Sequence, residues 1–167
     1  DIWVTGELGL AALGLAKLQS KIELPQSLSK KAIRALEKPM LHSSIIKSMG
    51  RLSHSAIDIS DGLIADLTHI LEASNVGANI FLKDIPMSTW IKKNKLFDIG
   101  LSGGDDYQLL FTAPKKNRNK INLVSKMPSI KLVRIGSIQK DKSLNIIDHK
   151  GMQYKLKKGG YDHFETK

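Results

Sequence analysis

The sequence predicts an α+β fold from three observations. Its 167 residues, of which 41% are hydrophobic and 25% charged, have the length and composition of one globular domain with a sizeable core. Apolar residues recur with helical spacing in some segments and as short strand-like runs in others. These segments do not follow a strict strand–helix–strand alternation, and this mixture favours an α+β fold.

The composition and the first residues limit the class of protein. The absence of cysteine excludes a disulfide framework, a thiolate zinc site and a cysteine nucleophile. No apolar run approaches the ~18 residues of a membrane span. The chain opens on an apolar strand-like run, residues 2–5, that leads into Gly6. Because proteins rarely begin inside a strand, we expect the chain to be part of a longer protein.

The first third of the chain predicts one strand and three helices. Residues 2–5 form the strand. Residues 8–18 are rich in leucine and alanine, which are good helix formers. A proline before and another after residues 28–37 bound a second helix, and residues 41–49 predict a third.

The middle of the chain predicts two strands around an amphipathic helix. Residues 55–59 form the first strand and residues 79–82 the second. Between them, residues 63–71 place leucine and isoleucine on one helical face. Ser60 or Asp61 is in position to cap this helix.

The last third predicts strands and one helix. Residues 107–112 and 131–138 form strands, and residues 117–125 form a helix between them. Residues 143–155 predict a hairpin with Gly151 near its turn.

The stretch from Asp58 to Leu63 is the first candidate site, because it carries two carboxylates and a hydroxyl where a strand leads into a helix. Asp58 and Ser60 share a side of the extended strand end, and Asp61 lies at the helix N-terminus. Such oxygen ligands suit Mg²⁺, which usually also bridges to substrate phosphates. The alternative is that Ser60 or Asp61 is only a helix cap and Asp58 an exposed acid.

The second candidate site is Gly103-Gly104 followed by Asp105 and Asp106. The glycines permit a positive φ or a close approach to a ligand. The two acids point in different directions at the start of a strand, so that one can line a pocket while the other caps or turns. The alternative is an ordinary glycine turn.

A third candidate lies near the end of the chain, where Tyr161 follows Gly159 and Gly160. An aromatic ring in this position can stack on a planar ligand. The alternative is a terminal aromatic side chain that packs on the core.

Residues 115–142 concentrate the positive charge, with nine of the 26 lysines and arginines and a single acid, Asp141. A basic segment of this kind suggests a nucleic-acid-binding module. The alternative is a solvated lysine-rich surface, which we favour because the segment has no aromatic residue on which a base could stack.

Taken together and in this order, these stretches resemble the C-terminal half of the thiamine-monophosphate kinase family, within the aminoimidazole ribonucleotide synthetase superfamily. The Ile-Asp-Ile-Ser-Asp-Gly-Leu stretch is the most specific part of the resemblance. The matching residues are 1–9, 56–63 with 66–67, 103–107 with 109–112, 134–136 and 160–164.

The resemblance implies a two-domain kinase that transfers the γ-phosphoryl group of ATP to thiamine monophosphate. Residues 1–167 would be its single C-terminal domain, a layered α/β/α domain with a mixed sheet flanked by helices. The N-terminal domain, absent from this chain, would supply most of the magnesium ligands and the interface of a homodimer. The isolated chain is therefore expected to be inactive. The same resemblance implies a cytoplasmic enzyme with no nucleic-acid or membrane partner. A related enzyme of the superfamily acting on another small molecule is the alternative.

The resemblance also implies roles for five residues. Asp58 and Asp61 would bind Mg²⁺, and Ser60 would contact the phosphates of ATP. Asp105 and Tyr161 would contact thiamine monophosphate. The family usually has Glu where this chain has Asp105, whose side chain is one methylene shorter.

Overall fold

The structure is a computed structural model that describes residues 1–40, 45, 48–126 and 131–156. The strands are β1 (Ile2–Thr5), β2 (Ser55–Ile59), β3 (Gly77–Phe81), β4 (Gln108–Thr112), β5 (Leu132–Gln139) and β6 (Leu144–Ile147). The helices whose bounds are described are α1 (Leu10–Leu18), α2 (Gln26–Glu37), α3 (Leu63–Ser74), α4 (Thr89–Lys93), α5 (Phe97–Ser102) and α6 (Arg118–Val124). None of the helices in these ranges is long and apolar enough to cross a membrane.

The six strands form one mixed sheet in the order β2-β4-β1-β5-β3-β6. Four neighbouring pairs of these described strands are antiparallel, and the pair of β3 and β6 is parallel. The central strand β1 is buried along its whole length, as expected for a strand covered on both faces. This arrangement confirms the predicted α+β fold.

Side-chain alternation along β1 divides the core between the two faces of the sheet. Ile2 and Val4 belong to the larger cluster, which is completed by residues of α1, α3, α4 and α5. Trp3 belongs to the smaller cluster and stacks on Phe111, with ring centroids 6.4 Å apart. Ile121 of α6 packs in this second cluster. Helices therefore lie on both faces, which confirms the predicted α/β/α layers.

Several predicted elements are confirmed with small shifts. The strands predicted at 2–5 and 55–59 have those bounds. The helix predicted from residue 8 begins at Leu10, because Gly9 takes a left-handed φ of 81° just before it. The strand predicted at 79–82 begins two residues earlier, at Gly77.

Other expectations are corrected by the structure. Two short helices, α4 and α5, are not predicted by the sequence pattern. The hairpin predicted at 143–155 is present in short form, with an antiparallel bridge between Ile147 and Gln153 and with Gly151 in its turn. The N–H of Tyr154 also donates a hydrogen bond to the carbonyl of Ile146. Strand β6 pairs in parallel with β3 as well, which the sequence pattern does not predict. The helix predicted at 41–49 falls largely outside the described residues, which lack 41–44 and 46–47.

Candidate functional site

One edge of the sheet brings together three of the stretches that the sequence singles out. Strand β4 is antiparallel to both β1 and β2, so β1 and β2 end where β4 begins. The segment 58–61 at the end of β2 therefore lies beside the segment 103–107 that leads into β4. The turn after β1 is at the same edge, where Gly6 donates its N–H to the carbonyl of Lys131.

Two backbone hydrogen bonds join the first two segments directly. The N–H of Asp105 donates to the carbonyl of Ser60 at 2.8 Å, and the N–H of Tyr107 donates to the carbonyl of Ile59 at 2.8 Å. A side chain at Gly104 would place its Cβ 2.5 Å from the carbonyl oxygen of Ser60. Gly104 is therefore needed for the close approach of the two segments, which brings Asp105 next to Ser60.

The backbone strain in this region lies on the residues after the glycine pair. Asp105 has a φ of 64° and Tyr107 a φ of 48°, both in the left-handed region that non-glycine residues rarely adopt. Gly103 has a φ of −73°, so the expectation of a positive φ at the glycines is not met there. Strained conformations of this kind concentrate at functional sites.

Asp66 organises the first segment, although the sequence reasoning assigned it no role. Its side chain is buried, and its Oδ2 accepts the N–H groups of Ser60 at 3.0 Å and Asp61 at 3.1 Å. Burial is the main cause that raises the pKa of Asp66; the hydrogen bonds oppose the rise, and the charges of Asp61 and Asp58 add to it. An acid in the first turn of the following helix is the sequence signal that could have identified it.

The helix-cap alternative for the first segment is wrong. The N-cap residue of α3 is Gly62, with a φ of 110°, and no side chain caps the helix there. A side chain at Gly62 would also place its Cβ 2.8 Å from the backbone of Ser102. Neither Ser60 nor Asp61 therefore occupies the N-cap position of α3.

Several side chains around this segment could offer ligand atoms to a metal ion. Asp58 is exposed on β2 opposite Leu109, and Asp61 is half-buried. One ligand atom from each of Asp61, Asp66 and His69 lies within 4.8 Å of the others. Both backbone N–H groups are accepted by the same oxygen of Asp66, Oδ2, and of the two metal ligands expected from the sequence this group of three includes Asp61 but not Asp58.

Asp105 and Asp106 point in different directions, as predicted. Asp105 is exposed. Asp106 is 5% exposed and lies at the start of α1, where its Oδ2 accepts the N–H of Gly9 at 2.5 Å and its Oδ1 that of Ala11 at 3.2 Å. Burial raises the pKa of Asp106 to about 6, although the N–H groups oppose the rise. Asp106 therefore caps a helix from a distant part of the chain.

Two arginines of the basic segment 115–142 form ion pairs within the fold. Arg118 donates two hydrogen bonds to the carboxylate of Asp1, at 2.9 and 2.7 Å, and Arg134 lies 3.8 Å from the same group. The backbone nitrogen of Asp1 donates to the carbonyl of Ala113 at 2.9 Å, so these contacts fix the start of β1. Tyr161, the remaining candidate site residue, lies outside the described residues.

Comparison with known families gives one match along most of the chain. The family described as "AIR synthase related protein, C-terminal domain" matches residues 1–149. Two curated proteins named thiamine-monophosphate kinase are similar to this chain. The one from Buchnera aphidicola subsp. Schizaphis graminum is 40% identical over 98% of this chain and 52% of its own length. The one from Escherichia coli K12 is 35% identical over 99% of this chain and 52% of its own length. The chain thus spans about half the length of the curated relatives it matches.

Solved structures give the same result for the fold. The thiamine-monophosphate kinase of Stenotrophomonas maltophilia K279a superposes with a TM-score of 0.80 and 30% identity, covering 92% of this chain and 51% of its own. A structure described as AaThiL complexed with AMPPCP and TMP gives a TM-score of 0.78 and 27% identity, covering 98% of this chain and 51% of its own. The predicted layered domain is therefore confirmed by proteins that resemble it over nearly the whole chain.

Proposed function

Because the chain belongs to the family of AIR synthase related protein C-terminal domains, we propose that it is the C-terminal half of a thiamine-monophosphate kinase. The proposed enzyme moves the γ-phosphoryl group of ATP onto the phosphate of thiamine monophosphate, giving thiamine diphosphate and ADP. The observation that carries the proposal is that nearly the whole of this chain is similar to about half of curated thiamine-monophosphate kinases. The relative in complex with AMPPCP and TMP supports the same pair of substrates.

In this proposal the segment after β2 binds the phosphates of ATP. Asp58 and Asp61 hold Mg²⁺, and Ser60 contacts the nucleotide. Carboxylate and hydroxyl oxygens are the ligands that Mg²⁺ prefers, so the donor set fits the ion. Bound Mg²⁺ would neutralise the negative charge that gathers on the transferred phosphoryl group. Asp66 holds the backbone of this segment in place.

The second segment binds thiamine monophosphate. Its backbone bond to Ser60 keeps Asp105 beside the nucleotide-binding segment. This proximity suits a reaction in which two phosphates must meet, because positioning supplies much of the rate enhancement. Tyr161 is assigned to the thiamine rings from the sequence resemblance alone.

The chain need not supply a nucleophile. The attacking atom is a phosphate oxygen of thiamine monophosphate, which is already anionic at neutral pH. The residues of this chain therefore bind and orient the two substrates, and no side chain here is assigned a proton transfer. Such a division of labour is typical of phosphoryl transfer.

The proposal includes partners outside this chain. An N-terminal domain would provide the remaining magnesium ligands and the interface of a homodimer, since the chain spans about half the length of its curated relatives. We propose a cytoplasmic location from the family resemblance, and the use of ATP as co-substrate is compatible with it.

Replacement of Asp58 in the full-length enzyme tests the metal role. We expect Asp58→Asn to lower kcat at saturating Mg²⁺ by about 100-fold or more, because the variant removes a charge from the metal site. Glu72→Gln is the matched control, since it makes the same charge change at an exposed position of α3. Steady-state kinetics with ATP and thiamine monophosphate, together with circular dichroism, separates lost activity from misfolding. Unchanged turnover of Asp58→Asn would contradict the metal role.

The substrate assignment is tested by thermal shift of the full-length enzyme. Thiamine monophosphate is expected to raise Tm in the presence of Mg²⁺ and a non-hydrolysable ATP analogue, because a ligand that binds only the folded state stabilises it. A shift with another small phosphate and none with thiamine monophosphate would indicate a different enzyme of the superfamily.

A further inference from the structure

A cavity of about 300 Å³ opens beside the candidate site, at the same edge of the sheet. Gly6 lines it at the end of β1, and Asp106 and Gln108 line it at the start of β4. One face of α2 forms its side wall. None of Asp58, Ser60, Asp61 or Asp105 lines this cavity, which adjoins the segment 103–107 through Asp106 alone.

The wall that α2 contributes is strongly basic. Lys31 and Arg34 are three residues apart on α2 and share one helical face, and Lys38, the residue that follows the helix, also lines the cavity. Lys131, at the start of β5, also lines the cavity. Glu37, the single acid of α2, does not. The cavity thus collects four cationic side chains.

The acids at the cavity compensate only part of this charge. Glu7 contacts Lys31 and lies 3.9 Å from Lys131. Both oxygens of Asp106 accept backbone N–H groups of the α1 N-terminus. Among the described residues, the side chains of Arg34 and Lys38 make no ion pair. Like charges that line one cavity repel each other, and a bound anion would relieve this repulsion.

The remainder of the lining is apolar. Leu10, Ala35, Pro39 and Met40 contribute to it, and Met40 is 63% exposed at this surface. An exposed large apolar side chain beside unpaired cations suits a ligand that has both a charged and an apolar part. A bare inorganic anion would leave this apolar surface in contact with water.

We propose that the cavity binds a small organic phosphate, whose phosphate group lies between Arg34 and Lys38 and whose apolar body packs against Leu10 and Met40. The planar guanidinium of Arg34 can donate two parallel hydrogen bonds to a phosphate, and Lys38 adds a point charge. This site is separate from the metal-binding segment and does not depend on the kinase proposal. A nucleotide and a thiamine phosphate both have the required chemistry.

Isothermal titration calorimetry of the chain in EDTA tests this site without a metal contribution. The probes are ADP, thiamine diphosphate and inorganic pyrophosphate. We expect at least one organic phosphate to bind more tightly than pyrophosphate, because only the organic probes cover the apolar wall. Comparison of ADP with thiamine diphosphate identifies which apolar body the cavity accepts.

Charge variants locate the binding. Arg34→Gln and Lys38→Gln are each expected to weaken binding about tenfold, because each removes a charged donor to the phosphate. Lys30→Gln is the matched control: it removes one charge from the same helix at a position outside the cavity, and is expected to change affinity less than twofold. Met40→Glu should weaken binding further, since it places a negative charge at the exposed mouth.

Several results would overturn the proposal. Affinities of Arg34→Gln, Lys38→Gln and Met40→Glu equal to that of the control would exclude this cavity, as would equal affinity for pyrophosphate and the organic probes. Asp58→Asn is expected to bind normally in EDTA. Loss of binding in that variant would assign the anion to the neighbouring segment instead. A failed kinase assay with intact binding here would contradict the kinase proposal alone.

Discussion

Asp105 and Asp106 show how two adjacent identical residues acquire different properties from their surroundings. Asp105 is exposed and strained, with a left-handed φ of 64°. Asp106 is buried at the N-terminus of α1, and burial raises its pKa to about 6. The sequence predicted that the two side chains would diverge, but it could not predict which would be buried. That depends on where α1, almost 100 residues away, meets the start of β4.

Asp106 should make the stability of the chain depend on pH. The folded-state pKa of Asp106 is about 6, above the value of 3.8 for an unfolded chain. The folded protein therefore holds this proton more tightly than the unfolded chain does. The resulting contribution to the free energy of unfolding is complete below pH ~4 and is lost as the pH rises through 6. This loss is on the order of 3 kcal/mol at most. Asp106→Asn removes the titration, so we expect urea denaturation of the variant to show a smaller decrease in stability between pH 4 and pH 8.

Asp141→Asn is the matched control for this experiment. It removes a carboxylate at an exposed position whose charge is not among those that raise the pKa of Asp106, and it should leave the contribution of Asp106 to the pH dependence intact. An Asp106→Asn profile that follows the wild type would show that Asp106 does not titrate in this range. The raised pKa of Asp66 contributes in the same direction in all three proteins and therefore cancels in the comparison.

At the scale of elements, the first turn of α3 fixes the conformation of the segment that precedes it. Asp66 accepts the N–H groups of Ser60 and Asp61 through a single oxygen, Oδ2. A residue of α3 thereby fixes the conformation of the loop that we assign to nucleotide binding. The order of residues in the sequence indicated a helix here, but it did not indicate this bond.

Replacement of Asp66 should release that segment. Asp66→Ala leaves two N–H groups without their acceptor, so we expect a loss of about 1–3 kcal/mol in the free energy of unfolding. Asp66→Asn can place its carbonyl oxygen where Oδ2 lies, and it should recover most of this loss. Hydrogen exchange at the amides of Ser60 and Asp61 is the direct measurement, with faster exchange expected in the alanine variant only. Equal exchange in both variants would contradict the role of this bond.

Elements with a long or strongly patterned sequence are predictable, and short elements are not. Helix α3 has a long amphipathic stripe, and strand β2 is a short run bounded by polar residues, so both are predicted close to their observed bounds. Helices α4 and α5 have five and six residues, which is too short for a helical period to be recognised. The pairing of β6 with β3 depends on a parallel contact that local patterns do not encode.

At the scale of the whole molecule, the order of the strands in the sheet brings the parts of the candidate site together. Segments 58–61 and 103–107 are more than 40 residues apart, and their proximity follows from the antiparallel pairing of β2 with β4. The residue types at the site were predicted from the sequence because carboxylates and glycines near predicted strand ends are visible there. The basic cavity was not predicted, because its residues come from α2 and from three different strand ends.

The proposed enzyme requires more than this chain. We expect the isolated 167 residues to show little or no kinase activity with ATP, Mg²⁺ and thiamine monophosphate, since the chain spans about half the length of its curated relatives. Addition of a separately produced N-terminal half should restore turnover if the two halves associate. A coupled assay for ADP release makes this comparison, and robust turnover by the chain alone would contradict the two-domain proposal.

The central position of β1 also constrains how the chain can fold. This strand occupies residues 2–5, yet its two neighbours, β4 and β5, begin only at residues 108 and 132. During synthesis β1 has no partner strand until about two thirds of these 167 residues have left the ribosome. Contacts so distant in sequence slow folding, because a large loop must close before they stabilise the chain. The apolar run Ile2-Trp3-Val4 is therefore open to misassociation in the nascent chain until its partner strands are made.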